Sequence, residues 1–117
     1  GHTAIAVGGL AYSFENGWSA GYTKDAYLAN NSWRAGIELV LDVPREDAVT
    51  LQEHLNTAVE EGLYAVGGDI CVDATSRKLE EVLEGLDATG SWDVIGFMEK
   101  IRQTGAVSAE IEHPAKG

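Results

Sequence analysis

Cysteine, proline and histidine are scarce in this sequence, with one, two and three copies respectively. The single cysteine, Cys71, cannot form an intrachain disulfide, and small secreted domains usually carry several such links. A reducing, cytoplasmic setting is therefore expected. No apolar run reaches the roughly eighteen residues of a membrane helix, and no basic stretch precedes a short apolar one as an intact signal peptide requires. Gly1-His2 reads as a tag remnant ahead of the natural start. Basic residues are also few, 8 against 19 acidic ones, giving a formal charge of -11. Such a chain repels phosphate backbones and anionic headgroups over about one Debye length, ~8 Å at physiological salt. Neither direct nucleic-acid binding nor membrane binding is expected.

Recognisable chemistry is missing as well. His2, His54 and His113 stand apart from one another and from Cys71, without the spacing of a zinc site. No serine sits in a G-x-S-x-G elbow, and Cys71 lies between Ile70 and Val72, where a thiol packs as a small hydrophobe. The Gly8-Gly9 and Gly67-Gly68 pairs lack the following G-K-S/T or third glycine of a phosphate loop, so they read as turns or helix stops. Asp69, Asp73 and Asp87 lack the alternating spacing of a calcium loop. Carboxylate pairs such as Glu38 with Asp42, or Asp69 with Asp73, would serve acid-base chemistry only if a cleft held them together. No metal and no cofactor is expected, and the balance leans towards a protein that is not an enzyme.

What is present suffices for one folded domain spanning 1-117. Hydrophobic residues make up 44% of the chain, and a chain of this length can bury roughly two-thirds of its unfolded surface. The charge is uneven. Residues 1-34 hold two acids and two bases, whereas 35-117 hold 17 acids and 6 bases. The same first segment carries six of the nine aromatics, Tyr12, Phe14, Trp18, Tyr22, Tyr27 and Trp33.

Thr3, Ile5 and Val7 alternate with alanines before Gly8-Gly9, which predicts a strand and a two-residue turn pairing Val7 with Leu10 and Ile5 with Tyr12. Asn16-Gly17 is a second turn signal and would place Glu15 opposite Trp18 and Tyr12 opposite Gly21, giving a three-stranded meander. Residues 24-33 carry no clear period, and Asn30-Asn31-Ser32 reads as a loop. Ile37, Leu39, Leu41 and Val43 alternate with polar residues as a strand. Pro44 suits the first position of a helix over 44-62, whose Ala48, Leu51, Leu55, Ala58 and Val59 form one stripe. Asp69-Asp73 resembles a short strand. Thr75 or Ser76 would cap a helix over 76-87, Ser91 would cap a third with Val94, Phe97, Met98 and Ile101 inward, and Gly105 would stop it. Alternation from Val107 to Ile111 predicts a closing strand. The class is α+β, an antiparallel sheet with about three amphipathic helices on one face, in the order β-β-β-β-α-β-α-α-β. Dipeptides such as Ser32-Trp33 and Ser91-Trp92 recur 59 residues apart, but 36-43 has a strand period and 95-102 a helical one, so the halves are not a repeat.

Two features suggest function. Helix 44-62 carries Glu53, Glu60 and Glu61, and the following helix carries Glu80, Glu81, Glu84 and Asp87, with few cations to balance them. Like charges one turn apart repel by a few tenths of a kcal/mol, so their retention points to a basic partner or to solubility. Trp18, Tyr22 and Trp33 would add an aromatic contact face, unless they are sheet core. The preferred expectation is an acidic binding protein that docks on a basic macromolecular surface, in its sharpest form an inhibitor mimicking nucleic acid, of the anti-restriction, anti-CRISPR or nuclease-immunity type. The alternatives are a small-molecule-binding domain or small enzyme with an aromatic-lined pocket, and a homodimeric or larger structural subunit joined through an uncovered sheet face.

Overall fold

A computed structural model describes residues 3-14, 17-61, 71-87 and 93-116. The chain is α+β, with antiparallel strands first and most helices later. β1 (Ala4–Val7), β2 (Leu10–Phe14) and β3 (Trp18–Thr23) form a three-stranded meander. Gly8 and Gly9 both adopt positive φ, 61° and 79°, the requirement of a type I′ turn whose twist matches its strands. Val7 pairs with Leu10 and Ile5 with Tyr12, as the sequence pattern predicts. The second hairpin differs near its tip. Phe14, not Glu15, faces Trp18, and only beyond a bulge between Ala11 and Ser13 do Ala11 with Tyr22 and Leu10 with Thr23 take the expected register. Glu15 and Asn16 lie outside the described residues.

The segment after β3, without a clear period in sequence, is helix α1 (Lys24–Asn30). Thr23 is its N-cap, its hydroxyl accepting from the Ala26 N–H at 3.2 Å, which satisfies one of the donors left open at a helix start. The Lys24 N–H also donates to the Gly9 carbonyl at 2.9 Å, tying α1 to the first turn. β4 (Gly36–Leu41) follows and pairs antiparallel with the closing strand β5 (Val107–His113), from Gly36 opposite His113 to Leu41 opposite Val107. These two strands form a separate ribbon; the expected single sheet is divided into one of three strands and one of two.

Helix α2 (Arg45–Glu61) buries Leu51, Leu55 and Ala58. Pro44 stands just outside it, its carbonyl accepting from the Asp47 and Ala48 N–H groups, so it caps the helix and is not its first residue. The Asp69-Asp73 strand expected next is not supported where described, because Cys71 opens helix α3 (Cys71–Glu80); Asp69 and Ile70 lie outside the described residues. A short apolar run is ambiguous between strand and buried helix. Consequently Thr75 and Ser76 are not caps: they sit inside α3, 2% and 0% exposed, and the Thr75 hydroxyl is 2.9 Å from that of Thr3. Leu79 on α3, with Leu83 and Leu86 in the turns that follow, points inward.

Helix α4 (Val94–Gln103) buries Phe97 and Ile101. Its cap is Asp93, whose carboxylate accepts from the Gly96 N–H at 2.6 Å; Ser91, the expected cap, lies outside the described residues. Gly105, at φ 78°, ends the helix and turns the chain into β5. The core joins Ile5, Tyr12, Phe14 and Trp18 of the meander to Leu51, Leu55, Phe97 and Ile101 of the helices. The ribbon adds only half-buried residues to it, Leu39, Leu41 and Val107. Among the described residues no helix is long and apolar enough to cross a membrane.

Candidate functional site: a groove with a cationic end

The ribbon stands off the body of the molecule, and the space between them is a groove of about 1090 Å³. Its walls come from β1, α1, β4, the first half of α2, the second half of α3, the length of α4 and the end of β5. Apolar side chains line most of it, among them Ile5, Leu39, Leu41, Leu51, Phe97 and Ile101. Ligand sites usually occupy roughly 300–1,000 Å³, so the groove lies just above that range.

Polarity is concentrated where β4 begins and β5 ends. The only charged or histidine side chains among the described lining residues are Lys24, Arg34, Glu38, His113 and Lys116. Gly36 pairs with His113, and the Lys116 N–H donates to the Ser32 carbonyl at 2.8 Å, so the chain terminus and the turn after α1 are held side by side. Lys24 donates to Glu38 at 2.5 Å, and His113 donates from Nε2 to the other carboxylate oxygen at 3.0 Å. Partial burial pushes the Glu38 carboxyl up, but the hydrogen bonds and charges of Lys24 and His113 together outweigh it and hold the group below its usual range. Arg34 donates from Nη2 to Asn31 Oδ1 at 2.6 Å and lies over the Trp33 ring at 5.0 Å. Among the described residues neither Arg34 nor Lys116 has a carboxylate partner. Three cations against one carboxylate is the reverse of the whole chain's balance.

The acidic residues lie elsewhere. Glu53 and Glu60 are exposed on α2, in line with Glu46, and none of the three has a partner among the described residues. Glu61 borders a small cleft of about 170 Å³ with His54, Thr57, Ala58 and Lys78. Glu81 is brought to that cleft, accepting from His54 Nδ1 at 2.7 Å and lying 3.6 Å from Lys78. The helix expected over 76-87 ends at Glu80, so Glu81 and Glu84 are exposed in turns and Asp87 is exposed beyond them, and Glu80 and Glu84 do not share a helical face.

The three aromatics expected to make a contact face are separated. Trp18 is 8% exposed and packs edge-on against Phe14, with ring centroids 5.6 Å apart, as part of the core. Tyr22 on β3 and Trp33 after α1 are 52% and 67% exposed. Tyr12 is fully buried, its hydroxyl donating to Asn56 Oδ1 at 2.6 Å. Of the aromatics, Tyr27 and Phe97 line the groove. Glu38 reaches it without Asp42, which lies exposed past the end of β4. His54 faces Glu81 on the far side of α2, and the Cys71 side chain is outside the described set. No group of three or more metal-ligating side chains occurs among the described residues.

Lys24, Arg34, His113 and Lys116 are not recognisable as a set in the sequence, because more than 80 positions separate the first from the last. A partial signal existed in Thr23, a capping residue followed by Asp25 in a first turn, which would have placed Lys24 on a helix. No protein-family model, curated protein or solved structure matches this chain.

Proposed function

We propose that this is a non-enzymatic binding protein, of the cytoplasm, that receives an apolar small molecule in the groove between the ribbon and the body. The observation that carries the reading is the groove itself: about 1090 Å³ of connected space, mostly apolar, with polar groups gathered at one end. Such a site is the usual form of a small-molecule pocket. Burial of apolar ligand surface contributes roughly 25 cal/mol per Å², and walls set in seven helices and strands, not in loops alone, reduce the ordering cost of binding. Titration with a neutral, environment-sensitive dye such as N-phenylnaphthylamine tests it. A saturable blue-shifted signal is expected at one dye per chain. Val94→Trp, which adds bulk to the groove wall, should abolish that signal while the circular dichroism spectrum stays unchanged. A linear, unsaturable signal would overturn the reading.

A second reading keeps the acidic surface as a docking face for a basic macromolecule, a nucleic-acid-binding protein included. Glu46, Glu53 and Glu60 favour it, because a spacing of seven residues sets them about 10.5 Å apart along the exposed side of α2. Pull-down at low and high salt compares the wild type with an E46Q/E53Q/E60Q variant. A basic partner held only by the wild type and only at low salt supports this reading, and recovery indifferent to salt and substitution removes it.

A further inference from the structure

We propose that the groove's ligand is an amphipathic anion, a free long-chain carboxylate, with its head at Arg34 and Lys116 and its chain along β4 towards α4. The inference rests on the groove being a binding site and adds the chemical class of what it binds.

The groove is polarised along its length. Lys24, Arg34, His113 and Lys116 with Glu38 gather where β4 begins and β5 ends, whereas further along β4 and past it the lining is Leu39, Leu41 and Val43, with the apolar side chains of α4 beside them. Between the two ends β4 runs from Gly36 to Leu41, about 17 Å of extended strand, a span suited to a chain and not to a compact ring. Its lining changes from charged to apolar in one direction, so a ligand matched at both ends must do the same.

The sign of the head group follows from the charges left over. Lys24 and Glu38 neutralise each other. Arg34 has only the neutral Asn31 amide and the Trp33 ring, and Lys116 is positioned through its backbone, with its side chain exposed. Two cations therefore face the groove without an anion among the described residues. In a chain of net charge -11, a local surplus of positive charge beside an apolar trough is the complement of a carboxylate head, and the guanidinium fork fits a carboxylate in two-bond geometry. Long-range repulsion from the acidic surface is screened within about 8 Å at physiological salt, whereas the head-group contacts act at hydrogen-bond distance.

Displacement of bound N-phenylnaphthylamine from the full chain tests the inference, using decanoate, dodecanoate and tetradecanoate beside the alcohols of equal length. In the wild type each carboxylate should displace the dye at about tenfold lower concentration than its alcohol. Each added methylene should tighten binding by about fourfold until the groove is filled. R34Q/K116Q should erase the preference for the carboxylate over the alcohol of equal length. K116Q alone, which keeps the backbone bond to Ser32, should reduce it. Equal displacement by carboxylate and alcohol, or a preference that survives R34Q/K116Q, overturns the inference and leaves the groove reading standing. Failure of the dye to bind at all overturns both.

Discussion

At the scale of single residues, Glu38 links three elements, α1 through Lys24, β5 through His113 and β4 through its own backbone. Its carboxyl is held below the usual range by those partners, which outweigh the opposing effect of burial. A group whose pKa is lower folded than unfolded leaves the unfolded chain with more bound protons in acid, so stability rises with pH. The contribution is complete above the unfolded value, about 4.3, and is lost as pH falls through the folded one. Glu38→Gln removes it. Thermal melts should show the wild type ahead of E38Q at pH 7, with the gap closing below about pH 4; a gap constant with pH would show that the ion pairs do not stabilise the fold. Tyr12 makes a simpler case. It is fully buried, donates to Asn56 Oδ1 and accepts from Gln52 Nε2 at 3.3 Å. Tyr12→Phe keeps the ring and removes the hydroxyl, and denaturant titration should show a loss of about 1 kcal/mol, small because Asn56 is exposed and can turn to water.

Among the elements, legibility followed periodicity and local chemistry. The β1–β2 register was readable because two glycines fix the turn and alternation fixes the face. The β2–β3 register is readable only in part: Leu10–Thr23 and Ala11–Tyr22 keep the expected alignment, whereas a bulge shifts it by one towards the tip, to Ser13–Ser19 and Phe14–Trp18, and no residue type announces a bulge. α2 and α4 show a helical stripe and were found; α1 buries no residue and has no stripe to show. α3 misled through small polar residues: Thr75 and Ser76 resemble caps, yet packing against β1 places them in the core. The groove was beyond reach for a related reason. Seven elements supply its walls, and sequence periodicity reports which face of an element is apolar, not what stands opposite. Capping gives the prediction at this scale. Asp93 accepts from the Gly96 N–H at 2.6 Å and sits at the positive end of α4. Asp93→Ala should lower stability by about 1 kcal/mol, while Asp93→Asn should recover most of it because an amide oxygen also accepts. Equal losses in both variants would mean that charge, and not the hydrogen bond, stabilises the helix start.

For the whole molecule the deciding quantity is net charge against the paired charges. The radius of gyration is 13.6 Å and the principal extents are 36 × 30 × 29 Å, close to the ~13.4 Å expected for a neutral globule of this length, so compaction is complete despite a charge of -11. Repulsion must then be borne by the folded state. At 0.01 M ionic strength the Debye length, about 30 Å, matches the short axes of the molecule, and every carboxylate acts on every other. At 0.15 M it falls to about 8 Å, and only neighbours interact. Salt also weakens the attractive contacts, Arg102 to Glu110 at 2.7 Å and Lys78 to Glu81 at 3.6 Å among them, but such exposed pairs contribute only about 0–1 kcal/mol each. The surplus of acids should dominate. The melting temperature should rise between 0.01 and 0.15 M salt, and E46Q/E53Q/E60Q, which takes the formal charge from -11 to -8, should raise it at low salt and flatten the dependence. A melting temperature that falls as salt is added would mean that the ion pairs outweigh the repulsion, and that the exposed carboxylates of α2 impose no strain for a cationic partner to relieve.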